Sequence, residues 1–205
     1  MEYLLYGISL PHRLANNVQK DLVFKQFFIQ LLSSIAVTVA TATYLWGYET
    51  ENKCEAPFDG ADWNRRSEYI DVAKRFRDIL KIWFVFGLID CLRCGLVFAY
   101  ILYDKAIYAI GYHVLTLNDI LGLAAVLILH VYRFQFTGKW CSGDFLPESK
   151  ATEGFLVERG KFLVGLVIYV WVGGFVMACV YSCVMVAAYR RYADKQNASQ
   201  IQYKV

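Results

Sequence analysis

The chain has 205 residues and a formal net charge of +3, and 58% of its residues are hydrophobic, 17% aromatic and 19% charged. Its mean hydropathy is +0.37. Soluble domains average roughly 25% charged and under 50% apolar residues, so the composition excludes an ordinary soluble domain. We therefore expect one polytopic membrane domain with little soluble mass.

Four long apolar runs predict transmembrane helices, because crossing a bilayer takes about 20 mostly apolar residues. The chain's three prolines all fall outside these runs. We predict an all-α integral membrane protein, a four-transmembrane-helix bundle with two larger loops on one side. The predicted spans are residues 27–46, 80–103, 114–134 and 162–189.

The N-terminal residues are predicted to form a helical segment that leads into span one, and span one is predicted to pack closely against another helix. Residues 1–20 lack a signal-peptide pattern but space their apolar residues as a helix does, which indicates a helical lead-in or an amphipathic segment in the membrane interface. Span one then becomes small and hydroxylated from Ser33 to Thr43. Because small residues let helix backbones approach closely in lipid, we expect this face to pack against another helix. A water-lined conduit is the alternative.

The first large loop changes character along its length. It begins turn-like and acidic around Cys54 and Pro57. Over residues 62–79 the apolar residues recur at helical spacing and charged residues occupy the other faces. We therefore predict an amphipathic helix over 62–79 that runs directly into span two.

Span two carries charged residues near its centre. Asp90 and Arg93 stand three residues apart, so they occupy neighbouring positions on one helix face and partly neutralise each other. A short link around 104–105 folds span three back, which places Asp119 a turn or two inside the link-side boundary. Arg93 lies somewhat deeper, and its long stem can reach toward Asp119. Charges at that depth are costly and normally face protein. We predict an intramembrane polar cluster of Asp90, Arg93 and Asp119 that fixes helix register, with a proton or ion relay as the alternative.

Two of the chain's six cysteines lie in the large loops, Cys54 in the first and Cys141 in the second. Four spans with a short middle link place both loops on the same side. We predict a Cys54–Cys141 disulfide with that face in an oxidising compartment, and two free thiols as the alternative. Basic residues in both tails favour tails on the inner side of a plasma or endomembrane, or of the mitochondrial inner membrane.

Span four carries a stripe of small residues. Gly174, Ala178 and Ser182 follow one another at four-residue steps, which is typical of a helix-packing face in lipid. Cys179 and Cys183 lie on an adjoining side, without metal-ligand partners nearby in the sequence. We interpret them as small core residues and predict no metal site.

Four spans, inward tails and a cysteine in each of two same-side loops resemble the MARVEL-type tetraspan membrane proteins. The second loop is similar to that of the MARVEL-like proteins of protists, in the runs 138–146 (GKWCSGDFL) and 158–163 (ERGKFL). This resemblance implies a role in membrane apposition, trafficking or the organisation of membrane assemblies. The chain lacks the paired first-loop cysteines of claudins and the double-cysteine glycine motif of tetraspanins.

A rival interpretation rests on Cys91 and Cys94, a CxxC that resembles the quinone-coupled thiol oxidoreductases of the vitamin K epoxide reductase type. In such an enzyme Arg93 would lower the pKa of a thiol. However, this CxxC lies half-way through a span, and a disulfide inside a regular helix would be strained. A small channel or transporter subunit that uses Asp90, Arg93 and Asp119 is a third class.

The sequence is best explained by a non-catalytic four-span membrane protein that acts as a structural or accessory subunit, or as an organiser of a membrane assembly. We expect no catalytic residues, no cofactor and no metal. The expected partners are the lipid bilayer and other membrane proteins, with a hetero-complex favoured over a homo-oligomer. We expect no nucleic-acid partner.

Overall fold

A computed structural model describes residues 17–57, 69–103, 105–145 and 154–202. Residues 1–16 of the lead-in predicted over 1–20, and residues 62–68 of the amphipathic helix predicted over 62–79, lie outside the described residues. The chain forms two compact units, Met1–Gly165 and Leu166–Val205, which are described in turn.

The described residues are mostly helical, with one small two-stranded sheet. In chain order the elements are α1 (Asn17–Trp46), β1 (Glu55–Pro57), β2 (Tyr69–Asp71), α2 (Val72–Tyr103), α3 (Ala106–Leu115), α4 (Asn118–Phe134), α5 (Phe136–Cys141) and α6 (Val157–Gln202). Four segments of the described chain are long and apolar enough to cross a membrane, which agrees with the number of spans predicted from the sequence. They are Phe24–Trp46, Val72–Tyr103, Ala106–Phe134 and Val157–Val176.

The third of these segments consists of two helices where the sequence predicted one span beginning at residue 114. α3 ends at Leu115 and α4 begins at Asn118. The Thr116 hydroxyl donates a hydrogen bond to the His113 carbonyl at 2.6 Å. The backbone N–H of Asp119 donates to the carbonyl three residues earlier, at 3.0 Å, and this tighter bonding interrupts the α-helix.

The start of α2 also differs from the prediction. β1 pairs antiparallel with β2, and Ala56 lies opposite Ile70. The Asp71 carboxylate then accepts a hydrogen bond from the Lys74 backbone N–H at 2.8 Å, as an N-terminal capping residue does. Residues 69–71, predicted to be helical, are therefore a strand, and the helix begins at Val72.

In the first unit α2 is the central helix, because α1, α3 and α4 all pack against it. Phe76, Ile79 and Leu80 near its beginning are fully buried. It approaches α1 closely at Gly87, where an added Cβ would overlap the Thr38 hydroxyl. Only a residue without a side chain fits this contact, so the small and hydroxylated face of α1 packs directly on α2.

The second unit contains the continuation of α6 from Leu166. Of the predicted small-residue stripe, Gly174 and Ser182 are exposed, and the Ala178 side chain lies outside the described residues. Among the described residues no atom lies within 4 Å of a Cβ built on Gly174. The role of this stripe as a helix-packing face therefore stays a prediction.

Candidate functional site

Three charged side chains meet inside the first unit, and we call Asp90, Arg93 and Asp119 the charged triad. Arg93 lies between the two carboxylates. It donates one hydrogen bond to Asp90 Oδ1 at 2.5 Å within α2, and a second to Asp119 Oδ1 at 2.6 Å on α4. The triad therefore ties α2 to α4 by charge-assisted hydrogen bonds, which are among the strongest that side chains form.

α1 also contributes to the charged triad. Gln30 Nε2 donates to both carboxylate oxygens of Asp90, at 3.2 and 3.3 Å, and the Ser34 hydroxyl donates to Asp90 Oδ2. Gln30 and Ser34 were not predicted from the sequence to bond to Asp90. Their signal was visible, however, because two polar side chains four residues apart lie on one face of an apolar helix.

The three members of the charged triad differ in exposure. The side chains of Asp90 and Arg93 are only 7% and 10% exposed, whereas that of Asp119 is 61% exposed. Two carboxylates and one guanidinium leave one formal negative charge. The exposed end of the triad is the Asp119 carboxylate on α4.

The polar residue next to Asp119 faces inward instead. Asn118 is buried, and its Nδ2 donates to the Phe86 backbone carbonyl on α2 at 3.1 Å. This bond fixes the first turn of α4 against α2. The neighbouring side chains of one turn thus have opposite roles, since Asn118 holds the helix pair together and Asp119 projects to its surface.

Two free thiols, Cys91 and Cys94, lie on α2 beside the triad. Cys94 is fully buried, Cys91 is half-buried, and both are free. The Val72 backbone N–H, at the start of α2, donates to the Cys54 carbonyl at 3.0 Å. Because a helix rises about 1.5 Å per residue, Cys91 lies roughly 28 Å along α2 from that end. The loop cystine is therefore far from the CxxC.

The opposite ends of the helices form what we call the loop face, made of β1, β2, α5 and the ends of α1, α2, α4 and α6 next to them. Cys54 and Cys141 are joined in a disulfide there, with a Cα–Cα distance of 5.9 Å. Both cysteines are buried. The bond closes a separation of 87 residues and links the first large loop to the second.

Arg133, at the end of α4, is a second link in the loop face. Its two terminal nitrogens donate to the two carboxylate oxygens of Asp144, at 2.8 and 2.9 Å, and its Nε donates to the Gly160 carbonyl on α6 at 2.9 Å. Arg133 is buried. A fork-shaped guanidinium suits this paired contact, which a lysine could not reproduce.

Glu49 and Arg159 connect α1 and α6 by capping each other's helices. Glu49, just beyond α1, accepts hydrogen bonds from the backbone N–H groups of Glu158 and Arg159 in the first turn of α6, at 2.9 and 3.1 Å. In return the fully buried Arg159 donates to the Tyr44 and Leu45 carbonyls in the last turn of α1. An anion thus stabilises a helix N-terminus and a cation a helix C-terminus.

Comparisons with protein-family models, with curated proteins and with solved structures return no match for this chain. Among the described residues no group of three or more His, Cys, Asp or Glu side chains could hold a metal ion. The functional conclusion therefore depends on the contacts described above.

Proposed function

We propose that this chain is a non-catalytic, four-span membrane protein that acts as a structural or accessory subunit of a larger membrane assembly. The observation that carries the proposal is how the enclosed charges are used. Asp90, Arg93, Arg133 and Arg159 each bond to a second helix or to a helix end. Groups that bind helices to one another are what a packing subunit requires.

The proposal includes a topology with both large loops on one side of the membrane and both tails on the other. The Cys54–Cys141 disulfide supports it, because a bond between two loops requires the loops to share a side. A structural disulfide further favours an oxidising compartment on that side. The tails then lie on the inner side, as their basic residues favour.

The outer surfaces of the spans support a role beside other membrane proteins. Large apolar residues are exposed along each of the four spans, as expected for contact with lipid or with neighbouring helices. Examples from the first unit are Ile29, Leu88, Leu92, Leu123 and Leu127. We propose a hetero-complex in which these faces pack against spans of other subunits.

We extend the proposal to the MARVEL-like class of tetraspan proteins. Its support is the second loop, where Cys141 and the run 158–163 lie together in the loop face. The Leu156 backbone N–H donates to the Cys141 carbonyl at 2.7 Å, and Arg133 reaches Gly160. The two halves of the similar sequence are thus parts of one packed structure, which would suit a cap for membrane apposition.

The geometry favours neither the oxidoreductase nor the conducting alternative. A membrane thiol oxidoreductase passes electrons between its CxxC and a nearby cystine, whereas the Cys54–Cys141 cystine lies at the far end of α2 from Cys91. In the charged triad, Arg93 fills the space between both carboxylates. An ion relay would need both carboxylates open to the ion, whereas the Asp90 side chain is only 7% exposed.

The test of the proposed function is the composition of the native particle, extracted in mild detergent and measured by native mass spectrometry. We expect the chain in a fixed ratio with a defined set of larger membrane proteins. Recovery of the chain alone or only as a homo-oligomer would contradict the proposal.

A further inference from the structure

We infer that the exposed carboxylate of Asp119 is a docking point within the bilayer for a membrane helix of a different protein, which presents a Lys or Arg side chain at the same depth. The inference rests on the proposed function, that the chain is a subunit of a hetero-complex. It adds the place of contact on this chain and the chemistry of the partner.

The depth of Asp119 in its membrane span supports this inference. Asp119 lies near the middle of the segment Ala106–Phe134, roughly 20 Å from either end at about 1.5 Å per residue. The hydrocarbon core of a bilayer is about 30 Å thick. In a bilayer centred on this segment the side chain is too deep to be solvated by the headgroup region, so a partner would come from within the membrane.

The charge of the Asp119 carboxylate also supports the inference. Only Oδ1 of Asp119 accepts a hydrogen bond from the described residues, and it comes from Arg93. Arg93 is also paired with Asp90, so it cannot neutralise both carboxylates. A negative charge on a side chain that is 61% exposed at this depth is costly in lipid. A cation offered by a neighbouring helix removes that cost.

The surface of α4 around the Asp119 carboxylate is the third feature that supports the inference. Ile120, Leu123 and Leu127 are 68%, 64% and 61% exposed, and they continue along α4 next to Asp119. A single acid at the edge of an apolar strip is the complement of an apolar helix that carries one basic residue. The strip supplies packing area, and the ion pair fixes the depth and rotation of the partner helix.

The positions of the basic residues in this chain favour a different protein over a second copy of the chain as the partner of Asp119. Within the described spans every Lys and Arg lies closer to a span end than Asp119 does, and the deepest of them, Arg93, is buried and paired. Residues 166–183 contain no Lys or Arg. A second copy would therefore bring no free cation to this depth, so the complementary charge belongs to another protein.

The test is photo-cross-linking of the full-length chain in its native membrane, with a benzophenone amino acid in place of Leu123, one turn after Asp119. We expect an adduct with a different membrane protein, joined through a span that contains Lys or Arg. Asp119→Asn should lower the adduct yield at least about fivefold, and Asp119→Glu should keep it. Asp78→Asn, which removes an exposed carboxylate near the beginning of α2, should leave it unchanged.

Three outcomes would overturn the inference: an adduct with a second copy of this chain, an adduct with lipid alone, or a yield that Asp119→Asn does not change. These outcomes are distinguishable from failure of the proposed function. If the native particle contains no other protein, the proposed function fails. If its partners are retained by the Asp119→Asn chain in full yield, only the docking role of Asp119 fails.

Discussion

The loop face and the charged triad use the same kinds of groups in different ways. In the loop face the charged side chains bond to groups within the chain, since Arg133 gives all three of its bonds to Asp144 and Gly160, and Glu49 and Arg159 cap each other's helices. The triad has two carboxylates for one guanidinium, and the surplus faces outward on Asp119. We propose that the loop face defines the fold, whereas the triad also serves assembly.

The stability of the isolated chain and the strength of its contact with partners can be measured separately. A change in the loop face should lower the stability of the isolated chain, because the bonds lost are internal. A change at the exposed end of the triad should leave the isolated chain stable and weaken its contact with partners.

Loss of Arg159 should have the largest effect on the isolated chain. Arg159→Gln removes a fully buried cation from the last turn of α1 and leaves Glu49 without its counter-charge. We expect a loss of about 3 kcal/mol in the free energy of unfolding, measured by thermal unfolding in detergent. The matched control is Lys161→Gln, two residues further along α6, whose exposed ion pair with Glu158 should contribute under about 0.5 kcal/mol. Equal effects of the two changes would contradict the account.

Loss of the disulfide should be the next largest effect. Cys54→Ser removes a bond that closes 87 residues, which costs about 2–4 kcal/mol in typical proteins. We expect the lower end of that range, because the membrane spans already restrict the unfolded chain. The measurement is the unfolding temperature with and without reductant, which should no longer differ in the variant. Cys179→Ser, which removes an exposed free thiol, is the control and should keep the reductant effect.

One added methyl group at Gly87 should disrupt the contact between α1 and α2. Gly87→Ala places a Cβ against the Thr38 hydroxyl, and we expect a loss of about 1–3 kcal/mol from this overpacking. Gly95→Ala is a close control on the same helix, because no atom lies within 4 Å of its added Cβ among the described residues. That control should be neutral or stabilising. Adding Thr38→Ala should restore part of the stability of Gly87→Ala, and a double variant no better than Gly87→Ala would contradict this contact.

Much of the helical architecture could be predicted because the apolar runs are long. Two features were also open to simple rules: Cys54 and Cys141 are the lone cysteines of their loops, and Asp90 and Arg93 are three residues apart in a span. The structure joins the first pair in a disulfide and the second in an ion pair.

The connections made by single side chains were harder to predict. Arg133 and Arg159 lie at span ends, where a basic residue normally marks a membrane interface, and nothing in their spacing shows that they are buried. The strand at Tyr69–Asp71 depends on its pairing with β1, which local helical spacing does not reveal. The break between α3 and α4 depends on the hydrogen bonds of Thr116, which the mean hydropathy of the segment does not show.

The most direct test of the difference between the two regions is Asp119→Asn measured in two ways. The side-chain carbonyl that this substitution introduces can still accept the bond from Arg93, and the triad becomes neutral. We therefore predict an unchanged or higher unfolding temperature for the isolated chain, together with at least about a tenfold loss of the chain from the assembled particle, or about 1.4 kcal/mol of association free energy. A lower unfolding temperature with full recovery in the particle would contradict the account, because Asp119 would then serve only the fold of its own chain.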